Sequence, residues 1–435
     1  MFSRTARPTL ACAAACAVAL AGVVVAPAAL GEHSWRVVRV SVGDDDRQAA
    51  LGESFPDRPS VSASGRYVSF ASKAPGLVAG DTNRAEDVFV RDRLTGSTEL
   101  VSVGTRGQQA ADGADEGTIS ANGRRVVFTT TSPLVSRDTN ETADVYVRDR
   151  WTGRTMLVSQ RPDGRAGNRP SYLAHLSRTG RYVVFQSSAS NLVAEDTNRR
   201  EDAFLRDLVT GRTERVSVIS AGYGGQAAGT EPRVSPDGKR VLFSSLNADE
   251  SITLWVHNRE REVTRLVDTG VTGHAVVGSW SMSAGGRYVA FVTDRALVRA
   301  DTNDEIDPYR LDRRTGAALL LSVGSSGQQG NSFSDAVELA ADGKVAAFSS
   351  VSSNLVAEDT NGLSDVFLRR IPAGTTQRVS VSSTGAQGNG DSSYSRDLAI
   401  SADGLHVAFG SFAANLVAHD TNGQPDVFVW DATLH

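Results

Sequence analysis

Seven copies of one segment, four strand-like runs in each copy, and a fourth-strand segment displaced to the N-terminus predict an all-β chain. The predicted fold is a seven-bladed β-propeller of four-stranded antiparallel blades, closed by an N-terminal strand that completes the last blade. The repeat is anchored by RYVSF, which ends at Phe70. Its relatives end at Phe128, Phe185, Phe243, Phe291, Phe348 and Phe409, with spacings of 58, 57, 58, 48, 57 and 61 residues. Together the copies occupy residues 29–435 and leave no room for a second domain.

The third copy shows the four runs plainly: YLAHLS, RYVVFQS, DAFLRDL and TERVSVI. Val, Ile, Phe and Tyr fill them and turn residues separate them, the signature of short strands. The first turn ends at Gly65, Gly123, Gly180, Gly238, Gly286, Gly343 and Gly404. A second tight turn ends at Gly96, Gly153, Gly211, Gly316 and Gly374. Glycine suits both because such turns place a residue at positive φ. No segment holds a 3.6-residue apolar period long enough for a long helix.

The two ends argue for a closed ring. The last copy stops after its third run, DVFVW at 426–430. The missing fourth run stands at the front as RVVRVSV, residues 36–42, which matches RTERVSV at 212–218. Returning it to the last blade removes the open edges that a solenoid would leave.

The Ser-x-x-Gly-(Arg/Lys)-x-Val-x-Phe unit, clearest as SPDGKRVLF at 235–243, resembles the WD40-like repeat of TolB-type β-propellers of the secreted bacterial kind. The resemblance spans the whole repeat region. It implies a propeller and an exported, envelope-associated binding role. Within this sequence no separate α/β domain precedes the repeats and no hydrolase domain follows them, so the expectation stops at the propeller.

Residues 1–28 read as a signal peptide. Arg4 and Arg7 precede an apolar run from Leu10 to Val25, and Ala26-Pro27-Ala28 supplies a small-x-small cleavage site. The run is short of the ~20 residues that span a bilayer. Cys12 and Cys16 are the only cysteines and fall inside this segment, so the mature chain is expected to have no disulfide. No later stretch reads as a membrane span. The expected location is extracellular, periplasmic or at the cell surface. A net charge of −5 argues against nucleic acid as the partner.

Six copies share a loop between their second and third runs, of the form LVAGDTNRAED. Its oxygen-bearing residues are Asp81, Asn83 and Asp87; Asp138, Asn140 and Asp144; Asp196, Asn198 and Asp202; Asp301, Asn303 and Asp307; Asp359, Asn361 and Asp365; and Asp420, Asn422 and Asp426. Two accounts compete. Calcium loops place ligands at relative positions 1, 3 and 7, as here, but also need a bidentate carboxylate and a central Gly that are not regular in these loops. Alternatively, Asp and Asn cap turns by accepting from nearby backbone amides, with no ion. A feature present six times belongs to the architecture in either case.

Chemistry elsewhere is sparse. There is no His-Glu-x-x-His, Gly-x-Ser-x-Gly or phosphate-binding loop, and the seven histidines are scattered. The fourth copy is the odd one. Only 12 positions separate Phe243 from Trp255, against 19 from Phe70 to Phe89, and the Asp-Thr-Asn motif is missing. Propeller geometry puts both tight turns on one face, and the Asp-Thr-Asn loops with the inter-blade links on the other. The links carry Phe55, Tyr172, Tyr223, Trp280, Phe333 and Tyr394. Trp280 and His274 are expected to border a notch over the fourth blade, with Tyr223 and Tyr172 as further ligand contacts. Inner-strand packing is the competing role for these aromatics.

The expected function is that of a secreted, non-enzymatic binding module for a protein or an envelope or extracellular polymer. The alternatives are a polysaccharide lyase or hydrolase with a site at the central mouth, and a structural, metal-stiffened exoprotein.

Overall fold

The computed structural model describes residues 35–48, 59–194, 196–219, 229–247, 251–268, 276–393 and 398–432. The expected signal peptide lies outside them. The first strand, β1 (Trp35–Arg39), belongs to the last blade. Blade 1 holds β2 (Ser60–Val61), β3 (Tyr67–Ser72), β4 (Asp87–Asp92) and β5 (Ser97–Leu100). Blade 2 holds β6 (Asp115–Ile119), β7 (Arg125–Thr130), β8 (Asp144–Asp149) and β9 (Arg154–Leu157). Blade 3 holds β10 (Ser171–Leu176), β11 (Tyr182–Ser187), β12 (Asp202–Asp207) and β13 (Thr213–Arg215). Blade 4 holds β14 (Thr230–Val234), β15 (Arg240–Leu246), β16 (Ile252–Asn258) and β17 (Val263–Leu266). Blade 5 holds β18 (Val276–Met282), β19 (Tyr288–Thr293), β20 (Asp307–Asp312) and β21 (Ala317–Leu320). Blade 6 holds β22 (Ala336–Leu339), β23 (Val345–Ser350), β24 (Asp365–Arg370) and β25 (Thr375–Arg378). Blade 7 holds β26 (Leu398–Ile400), β27 (His406–Ser411) and β28 (Asp426–Ala432), completed by β1.

Each blade is a four-stranded antiparallel sheet, and the inner strand of each touches the inner strand of the next, round to β26 beside β2. The ring is therefore closed by seven blades. The predicted closure strand is in place. β1 pairs with β28 from Trp35↔Ala432 to Arg39↔Phe428, and Val40 N–H continues the ladder to the Val427 carbonyl at 2.8 Å. No helix among the described residues is long and apolar enough to cross a membrane.

The two middle strands of a blade are buried on both faces, which is why they read as nearly continuous apolar runs. Their aromatics meet across the strand pair. Phe70 stacks on Phe89 at 5.8 Å between ring centroids, Phe128 on Tyr146 at 5.9 Å, Phe185 on Phe204 at 5.8 Å and Phe348 on Phe367 at 5.5 Å. The core lies mainly between blades. Val88 and Val90 of blade 1 pack with Phe128 and Tyr146 of blade 2, and Ala408 and Val427 of blade 7 pack with Val68 and Phe70 of blade 1.

The first-turn glycine is required sterically as well as conformationally. Gly123 has φ 73°, and a Cβ there would stand 2.0 Å from the Tyr67 ring of the preceding blade. The Arg66 and Arg150 guanidiniums lie over the same ring, 4.8 and 4.9 Å from its centroid. One feature was not anticipated. The inner strands β6, β10, β14 and β18 break register at a bulge, and Glu116, Leu173 and Glu231 take positive φ of 64°, 53° and 46° there. A bulge re-aims side chains, here toward the axis of the ring.

Candidate functional site: the loop face and the central channel

The Asp-Thr-Asn loops are internally locked. In all six, the Asn side-chain oxygen accepts from the backbone N–H two residues on: Ala85 at 2.9 Å, Thr142 at 3.2 Å, and Arg200, Glu305, Leu363 and Gln424 at 3.0 Å each. These are Asx turns, so the turn-capping role is present. The residue after each Asn is left-handed: Arg84, Glu141, Arg199, Asp304, Gly362 and Gly423. The second Asp of each loop accepts from the hydroxyl of a serine two residues beyond the fourth strand: Ser102, Ser159, Ser217, Ser322, Ser380 or Ser41.

The two Asp side chains of a loop flank a gap, and what fills it differs between blades in a compensating way. In blade 1, Gln109 Nε2 donates to Asp81 and Asp87, both at 2.9 Å, while its oxygen accepts from Thr82 N–H at 3.1 Å. Gln329 does the same in blade 5, at 2.7 Å to Asp301 and 3.2 Å to Asp307. In blades 3, 6 and 7 the fourth strand supplies an arginine. Arg215 lies 3.3 and 3.6 Å from Asp196 and Asp202, Arg378 3.3 and 3.4 Å from Asp359 and Asp365, and Arg39 3.2 and 3.4 Å from Asp420 and Asp426. Blades 1, 2 and 5 carry Leu100, Leu157 and Leu320 at the arginine position. In blades 2 and 5 the third-strand aromatic is a tyrosine, and the Tyr146 and Tyr309 hydroxyls donate to Asp138 and Asp301.

Burial governs the charge of these groups. It raises the carboxyls of Asp87, Asp202 and Asp307, and pushes Asp365 and Asp426 up to about 6 and Asp144 up to about 8. On the opposite face the turn aspartates behave differently. The Arg66 and Arg287 guanidiniums hold Asp92 and Asp312 down to about 2. The raised set has a definite sign. An unfolded Asp titrates near 3.9, so between about 4 and 6 the folded chain keeps the Asp426 proton that the unfolded chain has lost. That contribution to stability is complete below pH ~4 and is lost as pH rises through about 6. The melting-temperature difference between wild type and Asp426→Asn should therefore fall as pH rises from 4 to 7. A difference that stays flat would contradict the assignment.

The short loop of the fourth blade is confirmed. β15 and β16 pair to their ends, Leu246↔Ile252, and are joined by residues 247–251, against residues 73–86 in blade 1. Leu246 at the end of β15 is 58% exposed, and Phe333 and Phe412 are exposed as well. Trp280 is not a link residue. It sits on β18 opposite Phe291, is 4% exposed, and donates from Nε1 to the Glu231 carbonyl at 3.1 Å. Its indole packs against Leu242, Leu254 and Val256 of blade 4, which is the inner-strand role. Tyr172 is on β10, and its hydroxyl donates to Glu201, which also accepts from Gln186 at 2.6 Å and Ser188 at 2.9 Å. His274, Tyr223, Phe55 and Tyr394 lie outside the described residues.

A cavity of about 270 Å³ runs along the axis, lined by the inner strands of all seven blades. The side chain five residues before the first-turn glycine lines it in every copy. In four blades it is small: Ser60, Thr118, Ser281 and Ala399. In blades 3, 4 and 6 it is His175, Arg233 and Glu338. Arg178, Glu116 and Glu231 join the lining. Glu116 ties the wall together, accepting from Thr129 Oγ1 and from Ala174 N–H of the next blade, both at 3.1 Å. Crowding by the ring, with Arg233 and Arg178 nearby, lowers His175 to about 3, and its Nδ1 has no hydrogen-bond partner among the described residues. Burial raises the Glu338 carboxyl against the pull of Arg233. The wall thus offers a neutral imidazole, a guanidinium and a carboxyl at one level. Sequence reasoning missed this set, although aligning the copies on their glycine exposes it.

No family model and no curated protein matches the chain. Solved structures do. Oligogalacturonate lyase from Vibrio parahaemolyticus superimposes with a TM-score of 0.53 at 13% identity, covering 91% of this chain and 96% of that one. The β-propeller domain of the Trilobed protease from Pyrococcus furiosus gives a TM-score of 0.54 at 8% identity, covering 87% and 96%. TolB from Acinetobacter baumannii is also similar, with a TM-score of 0.42 at 15% identity, covering 80% and 76%. At such identities the likeness to the lyase and the protease domain is one of fold: this chain is an all-β, seven-bladed β-propeller.

Proposed function

We propose that this chain is an exported, non-enzymatic binding propeller, and that it takes a hydroxyl- or carboxylate-bearing end group of an extracellular or cell-envelope polymer in its central channel. The observation that carries the proposal is the trio His175, Arg233 and Glu338, placed where four other blades keep Ser, Thr or Ala. Pockets built for recognition have a few converging polar groups on a rigid wall. The cavity, about 270 Å³, suits a single ring or a similar small group rather than a whole chain. The same trio also invites a second reading, cleavage of a polysaccharide at this level. A general base works best when its pKa lies near the working pH. His175, lowered to about 3 and with no carboxylate orienting its Nδ1, is a poor candidate for that role.

The test is a glycan array and a pull-down from wall fractions, run with wild type, Arg233→Ala and Glu338→Ala. Loss of one hydrogen bond to a charged group should weaken binding roughly 10- to 100-fold, with the melting temperature nearly unchanged. Equal binding by all three proteins would move the site out of the channel. Release of shortened product from a bound polymer would replace binding with catalysis.

A further inference from the structure

We propose that the gap between Asp138 and Asp144 in blade 2 binds one hard cation of the calcium class, and that the other five Asp-Thr-Asn loops do not. The argument is independent of the channel. In those five loops a nitrogen of the chain itself lies between the two carboxylates: an amide in blades 1 and 5, a guanidinium in blades 3, 6 and 7. Blade 2 lacks both devices. Ala166 stands at the glutamine position and Leu157 at the arginine position. Yet both carboxylates are retained, and both are buried.

Asp144 is the second, separate observation. Its side chain is fully buried, its Oδ1 accepts from Ser159, and its Oδ2 has no hydrogen-bond partner among the described residues. In the sister loops the corresponding Oδ2 faces the filling nitrogen: Asp87 at 2.9 Å and Asp307 at 3.2 Å from a glutamine amide, Asp365 and Asp426 at 3.4 Å from an arginine, and Asp202, whose Oδ2 likewise makes no hydrogen bond, at 3.6 Å from the Arg215 guanidinium. The same blade-2 loop holds another orphaned oxygen, Thr142 Oγ1. Buried charge without a counter-charge is strongly unfavourable, so this pair either keeps a proton or takes a positive group from outside the chain, and two facing carboxylates with no nitrogen between them suit a cation. The donors are all hard oxygens, which select calcium over softer metals. No group of three or more His, Cys, Asp or Glu side chains able to hold a metal occurs among the described residues. Two carboxylates imply weak affinity, roughly 0.1–1 mM, the range of extracellular modules.

The experiment titrates the intact protein with calcium alone by calorimetry and thermal melting, beside Ala166→Gln. That substitution places in blade 2 the amide that blade 1 already has. Wild type should bind one calcium per chain and gain roughly 1–3 °C in melting temperature at 10 mM calcium. Ala166→Gln should lose the response and melt higher than wild type in chelator. Two results overturn the proposal. If calcium leaves wild type unchanged from pH 6 to 9 while Ala166→Gln still stabilises it, the gap holds a proton. If several calcium ions bind per chain and Ala166→Gln changes nothing, the loops bind calcium generally.

Discussion

Deletion of residues 29–42 should abolish cooperative folding. The deleted segment contains β1, so β28 loses its whole outer partner from Trp35↔Ala432 to Arg39↔Phe428. Val37 and Val40 leave the core, each worth about 1.5–3 kcal/mol of burial. Arg39 and Ser41 leave Asp420 and Asp426, two buried carboxylates, without their main partners. Breaking one such buried pair costs about 3–5 kcal/mol. The sum approaches the about 5–15 kcal/mol that holds a typical domain together. An exposed edge on β28 is also a template for pairing with another chain. Gel filtration and circular dichroism melting should show aggregates or a broad, low transition. A monomer that melts like wild type would mean that the ring does not depend on its closure strand.

The second large effect is expected at Trp280→Ala. The side chain bridges blades 4 and 5, and truncating a buried Trp costs about 3–5 kcal/mol. The Glu231 carbonyl loses its indole donor at the same time, on a residue already held at a φ of 46°. For a chain of this length the melting temperature should fall by roughly 4–6 °C. Trp151→Ala is the matched control. Trp151 is 63% exposed in the second tight turn of blade 2 and contacts the Arg124 guanidinium at 5.2 Å, so its loss should stay within about ±0.5 kcal/mol. Similar melting curves for the two variants would exclude the structural role of Trp280.

Blade number, strand order and closure were legible because each is written in local pattern and repeated spacing. For Trp280 the sequence left two roles open, a ligand contact in the link and packing on an inner strand, and the structure shows the second. The link before it lacks the usual Gly-Gln element, and a bulge between Val276 and Trp280 breaks the two-residue period that would mark the strand. The Asp-Thr-Asn spacing was visible, but the residue that completes each lock is remote. Gln109 follows Asp81 by 28 positions, and Arg39 precedes Asp426 by 387. Whether a loop uses an arginine, a tyrosine or a glutamine becomes intelligible only when the strand registers place them together. The channel trio was hidden for another reason. His175, Arg233 and Glu338 share a level only after seven copies are superimposed, and a sequence does not say which side of a short strand faces the axis.

The pairing of β1 with β28 also sets the order of events during biogenesis. A chain made from its N-terminus releases β1 first, yet the strand that must receive it is the last to appear. Six blades can assemble their own four strands as they emerge; the seventh waits for the end of the chain. Until then the nascent protein is an open arc with an unoccupied edge at one end and a spare strand at the other. Joining the two ends requires a loop that encloses nearly the whole polypeptide, a step disfavoured by chain entropy and slow to complete. The finished ring is therefore a late, single commitment.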